Sequence, residues 1–415
     1  MKVFKFGGAS VKHAAAVRNV TSILKQHKEE SLWVVVSAMG KTTNALERVV
    51  FAFRKGEDFA AEIQGIFEYH QHLIRELFIH PEPVLNQLAK AVDSIHHNLV
   101  NHIDEDELYD RVVSLGEVIS SQIIYQFLLS EGIHATWLDA RDLIRTDSTF
   151  REGQVDWSAT TQMLQNAKKK LAPGIVITQG FIGADNQNRS VTLGREGSDF
   201  TAAIIGSCLK AESVTIWKDV PGVMNADPKR LPAAIVFPEL PYTEAAEMTY
   251  YGASVIHPKT IKPLALGNIP LWVKSFTDPS FAGTVIHDCK VEGLPPVIVF
   301  KENQCLISCK VTDFTFVNEA QLSVIFHAIT ALNIKLNVMQ NSAISFSFCI
   351  DFRENKVMAL IEKLQEHFEV YYNTNLTLIT IKNYDEKSFD TYRKREGVIL
   401  EQSSRSTLQV LVKDL

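Results

Sequence analysis

Hydrophobic and polar positions alternate first at residues 2–6 (Lys, Val, Phe, Lys, Phe), which predicts a strand ending at Gly7-Gly8. Ser10 can open the helix that carries Val17, Val20, Ile23 and Leu24. Residues 32–36 (Leu-Trp-Val-Val-Val) are continuously apolar, as expected of a strand buried on both faces of a parallel sheet. That run stops at Ser37-Ala38-Met39-Gly40, and a helix follows from Asn44. Residues 45–110 are helical in pattern and read as an excursion from the sheet; a further helix carries Leu115, Glu117 and Ile119. Strand-like runs at 174–178, 190–193 and 213–217 restore the β/α alternation, so the first 290 or so residues predict an α/β sandwich with a mainly parallel sheet.

Residues 290–297, with Gly293, Pro295 and Pro296, read as a domain boundary. After them come a strand at 305–311, a helix at 318–333, a strictly alternating strand at 343–351, a helix through Val357, Leu360, Ile361, Leu364 and Phe368, and strands near 369–374 and 376–383. This order is a βαββαβ unit of the ferredoxin-like kind. A second unit starts at Leu376 with a strand, a helix at about 386–398 and strands near 399–404 and 407–413, and then the chain stops, short of a closing helix and strand. The expected domains are therefore 1–290 and 298–415, the latter split at about 304–375 and 376–415.

The remaining composition narrows the function classes. A chain of 415 residues has length for two or three domains, and 46% apolar with 22% charged content is ordinary for a soluble globular protein. The net charge of −6, with no strongly basic face or tail, argues against a nucleic-acid partner. The five cysteines (208, 289, 305, 309, 349) form no CxxC pair and read as buried reduced thiols. No apolar run is expected to approach the length of a membrane span, and the N-terminus reads as a strand and turn rather than a signal peptide, so a cytoplasmic setting is expected.

Chemistry concentrates at glycine turns. In Thr192-Leu193-Gly194-Arg195-Glu196-Gly197-Ser198-Asp199, a strand breaks at two glycines and a helix opens, with Ser198 as the expected N-cap and Asp199 in the first turn. Such a turn aims backbone N–H groups at an anion, Arg195 offers a carboxylate-gripping fork, and Asp199 can hold an ammonium or a metal. The stretch also reads as a helix-capping turn with a surface ion pair. Lys5 beside Gly7 and Gly8 suits a phosphate. Gly40-Lys41-Thr42 is not a P-loop, because the glycine required five positions earlier is Val35; Thr43 and Asn44 read instead as substrate-facing groups. Glu117 in an apolar helix can bind an ammonium or magnesium, or simply face solvent. Lys218, Asp219 and Lys229 lie in loops expected at the carboxyl edge of the sheet. His257 reads as structural.

In combination and in this order, these segments resemble the aspartate kinases of the amino acid kinase fold. The matching motifs are Lys5-Phe-Gly-Gly-Ala-Ser10, Val35-Val-Ser-Ala-Met-Gly-Lys-Thr-Thr-Asn44, Ser114-Leu-Gly-Glu117, Gln179-Gly-Phe-Ile-Gly183, Leu193-Gly-Arg-Glu-Gly-Ser-Asp199, Trp217-Lys-Asp-Val-Pro-Gly222 and Tyr251-Gly-Ala-Ser-Val-Ile-His-Pro258. The tail resembles the paired ACT regulatory domains of that family. The resemblance implies a carbamate-kinase-like three-layer sandwich followed by ACT units, the second truncated. It also implies transfer of the ATP γ-phosphoryl group to the side-chain carboxylate of L-aspartate, with magnesium, on the route to lysine, threonine and methionine. It gives catalytic roles to Lys5, Arg195 and Asp199, and substrate binding to Ser37, Thr43, Glu117, Glu196, Gly197 and Ser198 beside Arg195. Nucleotide contacts are implied for Lys5, Gly7, Gly8, Lys218, Asp219, Met224, Lys229 and Ser254. The resemblance further implies a lysine or threonine effector near Asn337, Gln340 and Asn341, and a homodimer through the ACT regions. Departures from the family pattern are Ala9 for Thr, Glu196 for Gly, Met224 for an aromatic and Ser254 for Lys. Two rival readings are a kinase for another substrate, such as glutamate or carbamate, and a non-catalytic amino-acid sensor.

Overall fold

A computed structural model describes residues 1–100, 103–253, 256–312 and 315–413. The chain divides into two compact units, Met1–Val223 with Val236–Ala246 and Val255–Val291, and Met224–Ile235 with Glu247–Ser254 and Glu292–Leu415.

The first unit runs β1 (Lys2–Phe6), α1 (Ala14–Lys25), β2 (Leu32–Val36), α2 (Thr42–Lys55), α3 (Ala60–Leu77), α4 (Glu82–Asn98), α5 (Glu105–Val113), α6 (Leu115–Ser130) and β3 (Ala135–Trp137). It continues with α7 (Trp157–Lys170), β4 (Ile175–Gln179), β5 (Ile182–Ala184), β6 (Ser190–Thr192), α8 (Gly197–Cys208), β7 (Ser213–Lys218), β8 (Glu239–Pro241), α9 (Tyr242–Tyr251, whose residues from Glu247 onward are assigned to the second unit), α10 (Pro258–Leu266), β9 (Leu271–Ser275) and β10 (Thr284–His287). Eight strands form one sheet in the order β3-β4-β2-β1-β7-β9-β10-β8. The first six are mutually parallel, and β10 runs antiparallel to β9.

Central strands of a parallel sheet are covered on both faces, which is why β2 is buried at all five positions. Phe4, Phe6, Leu32, Val34 and Val36 join one core with Val17, Leu24, Leu46 and Ile124 from the helices. Each such side chain contributes about 1.5–3 kcal/mol by leaving water. Side chains alternate along a strand, so Lys5 leaves β1 on the face opposite Phe4 and Phe6, where α8 packs against β1, β2 and β7.

The stretch Glu105–Ser130 corrects the expectation that no apolar run approaches a membrane span. It is long and apolar enough by length and composition, and 72% of its apolar window is buried inside the protein. Its apolarity serves the core, with α6 buried on nearly every side.

The second unit holds β11 (Val297–Lys310), α11 (Glu319–Ala331), β12 (Leu336–Asn341), β13 (Ser345–Asp351), α12 (Glu354–Gln365), β14 (Glu369–Lys382), α13 (Glu386–Arg393), β15 (Val398–Ser403) and β16 (Thr407–Lys413). These strands form one antiparallel sheet in the order β12-β13-β11-β14-β16-β15. Three details differ from the sequence expectation. The linker was expected through residue 297 and the strand from 305, whereas β11 is continuous from Val297 and bulged between Lys301 and Gln304. Its first half pairs with Leu378–Lys382 and so adds a strand to the second lobe from ahead of the first. The expected strands at 369–374 and 376–383 are the single strand β14, shared by both lobes. Asn337, Gln340 and Asn341, expected near an effector and assigned to no strand, lie on β12.

Residues 224–235, expected within the first domain, belong to the second unit. The backbone accounts for this: Ile298 N–H donates to Asn225 O at 2.8 Å, and the Asn225 side chain donates to Pro296 O at 3.0 Å.

Candidate active site

Lys5 sits near the end of β1, in register with Val35 of β2 and Ile216 of β7. Lys218 ends β7, and Asp199 lies in the first turn of α8. These three elements bring Lys5 Nζ within 2.6 Å of Asp199 Oδ1 and Lys218 Nζ within 3.5 Å of Oδ2. Asp199 is 2% exposed. Burial pushes its carboxyl upward, but the two lysines outweigh that and hold it below the ordinary carboxylate range. The carboxylate therefore stays ionised and fixes two ammonium groups at the carboxyl ends of adjacent strands, where open α/β sheets bind ligands.

The turn before α8 differs in detail from the expectation. The N-cap is Glu196, in the left-handed region at φ 54°, and Ser198 lies inside the first turn. Gly194 (φ 77°) needs a glycine's freedom, and Glu196 adopts a conformation uncommon for residues with a Cβ. At the other turn, a Cβ on Gly8 would lie 2.8 Å from Ala38 O, so the ends of β1 and β2 approach each other only because residue 8 lacks a side chain.

Glu117, on the first turn of α6, is 3% exposed. Burial raises its carboxyl to about 8, against backbone hydrogen bonds that include one from Ala38. Its Oε2 has no hydrogen-bond partner among the described residues. A buried, unpaired carboxylate oxygen at a cleft is a natural seat for a ligand ammonium.

These groups line one cleft of about 520 Å³. Of the expected residues, Lys5, Gly8, Ser37, Thr43, Glu117, Arg195, Glu196, Gly197, Ser198, Asp199 and Lys218 all line it. Gly7 is adjacent, since a Cβ there would lie 3.3 Å from Lys5 Nζ. Asn44 lines a neighbouring cavity of about 440 Å³ that shares Tyr109 and Arg151 with the cleft. Asp219 is exposed and outside the lining. Met224 and Lys229 fall in the second unit, and Ser254 lies outside the described residues. His257 is structural as expected, its Nδ1 capping α10.

The sequence reading missed Tyr109, Arg151 and Glu152, which also line the cleft, and gave no role to Phe181 and Thr192, which lie in stretches it singled out and line it too. It missed Asp110 behind them, although Asp110 sits among Leu108, Val112 and Val113, where the apolar pattern calls for a hydrophobic residue. In the second unit Asn337 is already committed. Its side chain donates to Gln304 Oε1 at 2.6 Å and Asp351 Oδ1 at 2.8 Å, and accepts from Lys301 Nζ at 2.8 Å. Gln340 and Asn341 are exposed on β12.

For a metal, the cleft offers the carboxylates of Asp199, Glu117, Glu152 and Glu196. Oxygen donors suit magnesium, which keeps waters and binds through substrate phosphates plus one or two carboxylates. The His/Cys/carboxylate grouping found among the described residues lies at the sheet margin, with Glu239 on β8, His287 ending β10 and Cys289 just past it.

Comparison with known proteins gives a consistent answer. Residues 1–275 match the model of the amino acid kinase family. The chain is 32% identical over 355 residues to the lysine-sensitive aspartokinase 3 of Escherichia coli, covering 84% of this chain and 78% of that one. It is 30% identical over 387 residues to a chloroplastic bifunctional aspartokinase/homoserine dehydrogenase 2 of Arabidopsis thaliana, covering 88% of this chain and only 42% of that one. The crystal structure of E. coli aspartokinase III with aspartate and ADP superposes with a TM-score of 0.84 at 28% identity, covering all of this chain and 96% of the other. The chain belongs to the aspartate kinases of the amino acid kinase family.

Proposed function

We propose that this chain transfers the γ-phosphoryl group of ATP to the side-chain carboxylate of L-aspartate, giving 4-phospho-L-aspartate and ADP. The observation that carries the reading is the Lys5–Asp199–Lys218 charge array sharing a cleft with the buried Glu117 carboxyl, whose Oε2 has no partner among the described residues. The ADP and aspartate held by the E. coli relative support the same substrate pair.

The attacking aspartate oxygen is already an anion, so no protein group has to remove a proton. A bond forms from that oxygen to the γ-phosphorus, the bond to the bridging oxygen of ADP breaks, and ADP leaves with the electron pair. Catalysis then consists of positioning and neutralising charge on the group in transfer. Lys5, held by Asp199, lies against the transferred phosphoryl. Glu117 takes the substrate ammonium, Arg195 grips a substrate carboxylate, and Thr43, Ser37 and Ser198 add hydrogen bonds beside the Glu196-Gly197 turn. Lys218, Gly7 and Gly8 face the phosphates, with Asp219 following Lys218 on the nucleotide side. The cleft carboxylates would hold magnesium brought with the nucleotide, which would supply further positive charge at its phosphates.

The second unit is a regulatory region for lysine or threonine near Asn337, Gln340 and Asn341, and it joins two chains in a homodimer in the cytoplasm. Lysine sensitivity of the E. coli relative favours lysine. The commitment of Asn337 to Lys301 and Asp351 makes Gln340 and Asn341 the available contacts. Aspartate-dependent ADP release, measured with L-glutamate and no amino acid as controls, tests the activity. ADP release with L-glutamate and none with aspartate would reject the substrate. No release from a folded protein that still binds lysine would favour the sensor.

A further inference from the structure

Asp110 lies on α5 with its side chain fully buried. One oxygen, Oδ2, accepts from Arg151 N at 2.9 Å and from Thr192 N at 2.7 Å, and Oδ1 accepts from Thr192 Oγ1 at 2.7 Å. Burial lifts its carboxyl to about 6, with the bonds from Thr192 and Arg151 acting against that.

Both donor residues, Arg151 and Thr192, line the cleft. Arg151 is a non-glycine residue at φ 65°, a conformation that persists only where its surroundings impose it. Its guanidinium lies 4.1 Å over the Tyr109 ring, with Nε 2.6 Å from Asp106 Oδ1, so α5 fixes both the backbone and the head of Arg151. Thr192 ends β6, two residues before Gly194 and three before Arg195. The two segments also bind each other: Gly153 N donates to Thr192 O at 2.9 Å, and a Cβ on Gly194 would sit 3.2 Å from Arg151 O. One buried carboxylate thus ties a helix to a turn at Arg151 and a strand end at Thr192, each followed by residues that line the cleft.

We propose that Asp110 is a positioning residue that holds the Arg151 and Thr192 backbones, and through Thr192 the Gly194–Arg195 turn, in the geometry that binds the amino-acid substrate. This rests on the aspartate kinase reading above. What Asp110 supplies is acceptor geometry rather than charge. An asparagine can turn its oxygen to the two N–H groups and donate its amide to Thr192 Oγ1, because a hydroxyl can accept as well as donate. An alanine leaves the Arg151 and Thr192 N–H groups without this partner, one part-buried and one buried.

The test is calorimetric binding of aspartate and of ADP to the full chain. Asp110→Ala is expected to weaken aspartate by about tenfold or more, equivalent to about 1.4 kcal/mol, and to leave ADP within about twofold. Asp110→Asn is expected to restore aspartate affinity to within about threefold of wild type. If the alanine variant does not fold, Asp110→Ser, which keeps one oxygen of the two, carries the same aspartate-against-ADP comparison. Wild-type protein that binds no aspartate overturns both readings. Wild-type binding with unchanged aspartate affinity in a folded alanine or serine variant, or equal losses for aspartate and ADP, overturns the positioning role alone.

Discussion

Replacing Glu117 with glutamine separates what the fold needs from what the substrate needs. Burial raises the Glu117 carboxyl from 4.5 to about 8. For an acid whose folded value lies above its unfolded one, the folded state holds more protons across that window. Its contribution to stability is fully present below about pH 4.5 and is lost as pH rises through about 8. Each pH unit in between is worth about 1.4 kcal/mol. Between pH 5 and pH 7 the wild-type protein should therefore lose about 3 kcal/mol relative to Glu117→Gln, which does not titrate; other groups contribute equally to both. At roughly 2 °C per kcal/mol for a unit of this size, the two melting temperatures should shift relative to each other by about 5 °C. Aspartate binding should reverse the sign. A substrate ammonium beside Oε2 favours the ionised carboxylate, so binding at pH 7 should release the larger part of one proton from the wild-type protein and none from this site in the variant. Calorimetry in two buffers of different ionisation enthalpy measures that release, and the variant should also bind aspartate weakly. Parallel pH–melting curves, or equal proton release from the two proteins, would refute the reasoning.

Lys5→Ala should abolish turnover while circular dichroism and subunit folding remain those of wild type; an active, folded variant would remove Lys5 from the chemistry. Gly8→Ala must push Ala38 O away from a Cβ only 2.8 Å distant. It should therefore cost about 1–3 kcal/mol in thermal stability and weaken ADP binding, and a wild-type melting temperature would contradict this. Asp199→Asn leaves two lysines facing a neutral group and should cost about 3–5 kcal/mol at pH 7. Because the Asp199 carboxyl is held below its ordinary value, the wild-type advantage should be fully present above about pH 3.8 and shrink as pH falls further, and melting curves that separate more widely in acid would contradict it.

The parts of the fold legible in the sequence were those where one pattern had one reading. The apolar run Leu32–Val36 marked a central parallel strand, and the ferredoxin-like order of the tail followed from its periodicities. The glycine turns led to Lys5, Asp199 and Lys218, whose strand ends do converge. What stayed hidden depended on long-range pairing. Val297 reads as the end of a proline-containing linker, and residues 298–301 carry no element of their own until Leu378–Lys382 is known to lie beside them. The cleft wall depended on Asp110, a charged residue in an apolar pattern whose partners lie 41 and 82 positions away. The N-cap moved from Ser198 to Glu196 because the turn enters the helix through a left-handed residue, and residue preference favours serine over glutamate at a cap.

The most direct test of the central claim is the identity of the product. Incubation with ATP, magnesium, L-aspartate and hydroxylamine, followed by mass spectrometry and chromatography against both authentic isomers, distinguishes the side-chain hydroxamate from the α-hydroxamate. The account predicts the side-chain isomer alone, formed with wild-type protein and absent with Lys5→Ala. The α-isomer, or hydroxamate formed equally well from glutamate, would contradict it.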